Sequence, residues 1–96
     1  MNTFEKSFKF RSPVNRETTY AITPLAKDVE SEITVTIDEE TGVGGFEWNI
    51  DELEITEGGG LWFEGKELVD YDGVFELPKQ LVNFLIAEGF NMDYAL

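Results

Sequence analysis

Apolar and polar residues alternate along much of this chain with the period of a β-strand. Phe4, Phe8 and Phe10 interleave with Glu5, Ser7, Lys9 and Arg11, which predicts a half-buried strand although Lys6 falls on the apolar parity. Ser12 and Pro13 are expected to end it. A second short strand is expected over Glu17 to Thr23, with Thr18, Tyr20 and Ile22 on one side and Pro24 as its stop, because proline cannot donate to a ladder. Both read as edge or near-edge strands. The clearest strand runs from Val29 to Asp38, where Ile33, Val35 and Ile37 face one way and Glu30, Glu32, Thr34, Thr36 and Asp38 the other.

Thr41, Gly42, Val43, Gly44 and Gly45 supply the backbone freedom of a reversal, after which Phe46, Trp48 and Ile50 resume the alternation against Glu47, Asn49 and Asp51. A long hairpin follows. Its apolar parity switches between Ile50 and Leu53, so a bulge or a break is expected near Asp51 and Glu52. Gly58, Gly59 and Gly60 read as a flexible joint, and Leu61 to Glu64 with Glu67 to Tyr71 as a short hairpin around Gly65. Asp72 and Gly73 offer another tight turn. Pro78 stands where a first helical residue belongs, Leu77, Leu81, Val82, Leu85 and Ile86 recur at helical spacing, and Gly89 followed by Phe90 is a helix stop. The tail, with Met92, Tyr94, Ala95 and Leu96, is left to cap the core, add an edge strand or mediate self-association.

Strands first and a helix last predict an α+β fold that is mainly β: a small antiparallel sheet or sandwich of about five to seven short strands with one C-terminal helix. The 96 residues are expected to form one domain, strand-rich over 4–76, helical over about 78–89, with a tail over 90–96. At 42% apolar and 14% aromatic, the chain lies outside the composition of disordered proteins.

With no cysteine and no histidine, disulfides, thiolate nucleophiles, imidazole bases and the usual zinc ligands are all excluded. The N-terminus shows no apolar signal region and no run approaches the roughly 18 residues of a membrane span, so a cytoplasmic protein without membrane contact is expected. The remaining motifs for chemistry are weak. Asp70, Tyr71, Asp72 and Gly73 resemble part of a calcium loop, but with Gly73 at the sixth position Leu68 and Lys79 occupy the first and last ligand places. Glu64, Gly65 and Lys66, with Asp51 or Glu52, imitate the carboxylate and lysine set of a metal-dependent hydrolase, yet a glycine there favours a turn and the net charge of −13 repels a polyanionic substrate. A glycosidase pair needs a deep cleft, and the glycine runs lack the lysine and helix of a phosphate loop. No catalytic residue, metal ligand or cofactor is therefore assigned, and the chain reads as a non-enzyme. Trp48 and Trp62 are assigned to the core by their place in the alternation.

Charge is the feature that points outward. Between Asp28 and Glu76 there are sixteen carboxylates and one base, Lys66, whereas the first 27 residues hold five bases and two acids. Outward side chains on a strand recur every 6.6 Å or so, with neighbouring strands about 4.8 Å apart, so acids on a sheet form a lattice. If half of that excess shares one face of a globule about 32 Å across, the face carries about one charge per 4 Å, comparable to about one per 3.4 Å along a strand of duplex DNA. The expected contact residues are Glu30, Glu32, Asp38, Glu39 and Glu40 on the first hairpin arm and its turn, with Glu47, Asp51, Glu52, Glu54 and Glu57 on the second. The expected partner is a protein with a basic, nucleic-acid-binding groove, with no direct binding to nucleic acid. In bulk composition the chain is similar to the nucleic-acid-mimicking inhibitors of bacteriophages and mobile elements, such as anti-restriction and anti-CRISPR proteins, a likeness of class carried by no motif. The alternative is an adaptor or accessory subunit of a larger assembly, such as a virion, that binds through an apolar patch while its acidity serves solubility.

Overall fold

The computed structural model describes residues 2–17, 22–50, 54–72 and 77–95. Its strands are β1 (Thr3–Glu17), β2 (Ile22–Asp38), β3 (Val43–Ile50), β4 (Ile55–Glu64) and β5 (Glu67–Asp72), followed by helix α1 (Lys79–Ala87) and a 3-10 turn over Asp93–Ala95. The strands form one open antiparallel sheet in sequence order, β1-β2-β3-β4-β5. The mainly β architecture with a late helix is as expected, and the sheet is single rather than a sandwich.

The alternation sets the two faces. Val29, Ile33, Val35 and Ile37 of β2 and Phe46, Trp48 and Ile50 of β3 are buried, and the register pairs Ile33 with Trp48 and Val35 with Phe46. Leu61 and Phe63 of β4 and Leu68 of β5 extend the same apolar surface. Helix α1 lays Leu81, Val82 and Leu85 onto this face, and Phe84 stacks on Phe8 of β1 with ring centroids 4.3 Å apart. Ile86, expected on that stripe, is exposed instead.

The first two strands are longer than expected, at 15 and 17 residues, because neither Pro13 nor Pro24 stops its strand. Pro13 lies between Ser12 and Val14, where the register with β2 slips, on an edge strand whose outer side needs no donor. Pro24 lies in the part of β2 that β3 does not reach, since β3 pairs only with Ser31–Ile37. Glu17, expected to open a separate strand, ends β1 and pairs with Ile22, while residues 18–21 of the expected strand lie outside those described. Lys6 takes the inner parity of β1, opposite Val35, and is exposed at the free edge. An inward-pointing charge on an edge strand discourages another strand from adding there.

The triple glycine is not a joint. Gly58, Gly59 and Gly60 lie inside β4, paired with Glu47, Phe46 and Gly45 of β3, while Gly60 also pairs with Asp72 of β5. A Cβ on Gly59 would strike the Asp72 carbonyl and come within 3.1 Å of the Phe46 ring, so this strand needs bare backbone to pass between its neighbours. The β4–β5 hairpin turns at Gly65, with φ of 63°, as expected.

Pro78, expected as the first helical residue, is instead the N-cap, so α1 starts one residue later, and the Pro78 carbonyl accepts from the amides of Leu81 and Val82. The stop follows the sequence reading closely. Gly89 adopts φ of 96°, its amide donates to the Ile86 carbonyl and the Phe90 amide to Leu85, the paired bonds that close a helix with a left-handed residue. Beyond it, Asn91 forms a parallel bridge to Glu67, donating to the Lys66 carbonyl and accepting from the Leu68 amide, while Met92 is buried. The tail thus both fills the core and covers one end of the β5 edge.

Candidate protein-binding face

Because α1 and the tail pack on one side of the sheet, the other side is left uncovered by any described element. Residues of opposite parity to the core occupy it. On β2 these are Glu30, Glu32, Thr34, Thr36 and Asp38. On β1 they are Glu5, Ser7, Lys9 and Arg11, set opposite Thr36, Thr34, Glu32 and Glu30 respectively. On β3 they include Glu47 and Asn49, opposite Thr34 and Glu32. Glu32 and Glu47 are therefore diagonal neighbours on adjacent strands.

Short side chains tie the middle of the face together. The Ser7 and Thr34 hydroxyls lie 2.9 Å apart, Thr36 Oγ1 donates to Glu5 Oε2 at 3.5 Å, Asn49 Nδ2 donates to Glu47 Oε1 at 3.3 Å, and Thr56 Oγ1 donates to Asn49 Oδ1 at 2.9 Å. Each bond crosses strands or holds a carboxylate in place. Gly45 adds no side chain, and an open depression of 390 Å³ follows Thr34, Thr36, Gly45 and Glu47.

Of the ten acids singled out by sequence, Glu30, Glu32, Asp38 and Glu47 lie on this face. Glu39 and Glu40 are exposed in the turn that follows Asp38, whose Oδ1 accepts from the Glu40 amide at 2.9 Å and shapes the turn. Glu54 is exposed at the opposite end of β3 and β4, with a left-handed φ of 54°. Asp51 and Glu52 lie outside the described residues, as does the expected turn at Gly73. Glu57 corrects the expectation. It pairs with Trp48 and shares the helix side of the sheet with Leu61 and Phe63, and its Oε2 is shut off from solvent. The apolar parity of Ile55, Leu61 and Phe63 already carried that information, since residue 57 shares it.

Nor is the face a uniform anionic wall. Arg11 Nη1 stands 3.8 Å from Glu30 Oε2, both side chains about half exposed, and Lys9 lies opposite Glu32. Toward β5 the bases give out. Thr56, Gly58, Gly60 and Trp62 of β4 take the outer parity, Asp70 pairs with Trp62, and Asp72 pairs with Gly60. Trp62 is therefore not a core residue, and the sequence reading missed it together with Asp70 and Asp72. In a run Leu61-Trp62-Phe63 on a strand the middle residue must face away from the other two, and that was the available signal.

The Glu64-Gly65-Lys66 triplet spans the β4–β5 turn, with Lys66 Nζ 4.6 Å from the centre of the Phe90 ring. Among the described residues no group of three or more acidic side chains is placed to hold a metal ion, and no helix is long and apolar enough to cross a membrane. No protein-family model, curated protein or solved structure matches the chain.

Proposed function

We propose that this chain is a non-enzymatic protein-binding module that sets its uncovered sheet face against a basic, nucleic-acid-binding surface of another protein and occludes it. The observation that carries the reading is the placement of Glu30, Glu32, Asp38, Glu47, Asp70 and Asp72 on one face, continued by Glu39 and Glu40 at its end. The chain is also elongated, 38 by 22 by 21 Å, a rod as long as about eleven base-pair steps of duplex at about 3.4 Å each. Carboxylates on such a rod accept charge-assisted hydrogen bonds from lysine and arginine and steer encounter at long range. An inhibitor of the anti-restriction or anti-CRISPR kind would work in this way.

The test is displacement of a labelled duplex from basic nucleic-acid-binding proteins at low and at moderate salt. Displacement is expected to weaken steeply as salt rises. Changing Glu32, Glu47 and Asp70 together to lysine should lower affinity at least about tenfold, with the fold intact by circular dichroism. Displacement indifferent to both salt and charge reversal removes the proposal.

A second reading, an adaptor that binds through an apolar patch, is favoured by a groove of 450 Å³ at the β5 edge where Val69 and the 57% exposed Tyr94 stand beside Glu67 and Asp93. Under it, Tyr94→Ala abolishes partner capture and the charge reversals do not.

A further inference from the structure

We propose that Trp62 is a stacking platform for an arginine of the partner, with Asp70 and Asp72 as the carboxylates that receive its guanidinium; this deepens the acidic-face reading and rests on it.

Trp62 is 36% exposed while Leu61 and Phe63 on either side are buried, so the indole is an outer-face residue held by something other than the core. What holds it is the absence of a side chain two residues back. A Cβ on Gly60 would stand 2.8 Å from Trp62 Cη2 and 3.1 Å from Cζ3, so the six-membered ring occupies the place of a residue 60 side chain. The indole therefore rests on bare backbone and turns its remaining surface to solvent.

The surroundings select the ligand. Val43, 49% exposed, pairs with Trp62 on the β3 side and widens the apolar surface. On the β5 side Asp70 pairs with Trp62 itself and Asp72 with Gly60, beneath the ring. Asp70 Oδ1 accepts the Tyr71 amide at 2.9 Å, which fixes the carboxylate on the strand and leaves Oδ2 for a ligand. Lys66, the nearest base in sequence, is committed to the Phe90 ring.

A flat aromatic surface flanked by two carboxylates and, among the described residues, by no cation suits a planar cation. Guanidinium stacks on an indole while its N–H groups donate in its own plane to a carboxylate at the ring's edge; an ammonium has no plane to stack. Tryptophan and arginine are also the residue types that dominate interface energetics. The acids elsewhere on the face give attraction to any polycation, and Trp62 adds a preference among them.

The test titrates the full chain with Gly-Arg and Gly-Lys repeat peptides of equal length and charge, reading affinity by calorimetry and the Trp62 side-chain N–H by NMR. The arginine peptide is expected to bind about fivefold tighter, the size of an exposed cation–π contact, and to move the Trp62 resonance. Trp62→Ala should erase the preference while leaving salt-dependent binding of both peptides. Should that variant fail to fold, Gly60→Ala, which displaces the ring without removing it, must lower the preference in the same way. Equal affinities, or binding with the Trp62 resonance unmoved, overturn the inference and leave the acidic-face reading standing. Binding of neither peptide at low salt overturns both.

Discussion

Phe90 meets Phe4 edge-on, ring centroids 5.1 Å apart and planes at 74°, so the residue just past the helix stop is locked onto the first strand. The same ring lies 5.1 Å from Phe63 of β4 and is buried. One side chain thus fastens the end of α1 to both β1 and β4. Phe90→Ala should cost about 3–5 kcal/mol in urea denaturation, the usual price of a buried phenylalanine, and Gly89→Ala about 1 kcal/mol or more, because alanine is strained at positive φ.

Gly59 and Gly60 are adjacent but should respond differently to the same substitution. Alanine at 59 strikes the Asp72 carbonyl, a backbone atom that can move only by parting β4 from β5. A loss of about 1–3 kcal/mol is expected there. Alanine at 60 meets the far end of the Trp62 ring, which can swing aside. Thermal melts should show Gly60→Ala much closer to the parent, with the change registered in the Trp62 resonance.

Lys6 is expected to keep the long β1 edge from recruiting another strand. Lys6→Val restores unbroken apolar parity from Phe4 to Phe10 on an edge with no described neighbour. Light scattering coupled to size-exclusion chromatography should then show concentration-dependent association absent from the parent. A variant that stays monomeric at every concentration would show that the lysine has no such role.

Stability and binding should move in opposite directions with salt. A net charge of −13 opposes compaction, so adding salt to a low-salt buffer should raise the melting temperature by screening that repulsion. Partner binding through the outer face should weaken over the same range. Arg11→Ala, which removes an ion pair whose two side chains are 53% and 47% exposed, should change stability by less than about 1 kcal/mol.

What the sequence made legible was local periodicity and backbone chemistry. Ile33, Val35 and Ile37 against Phe46, Trp48 and Ile50 fixed both faces of the central hairpin, and Gly89 with Phe90 fixed the helix end. What escaped depends on neighbours. Pro13 and Pro24 stop a strand only if a ladder partner needs their amide, and strand order had to be known before those positions could be seen to be unpartnered. The glycines of β4 read as a joint because the reason for them lies across the sheet, in Asp72, Phe46 and the Trp62 ring. Among the acids, Glu30, Glu32 and Asp38 were placed by alternation, whereas Glu57 was misplaced because the parity change after Ile50 was not carried forward into β4.

Lys9 and Arg11 stand along one flank of the outer face, Asp70 and Asp72 along the other. A surface so divided exerts torque as well as pull. For the basic partner proposed above, such a field would turn the incoming surface before contact, its densest charge over β5, and so favour one rotational setting during approach.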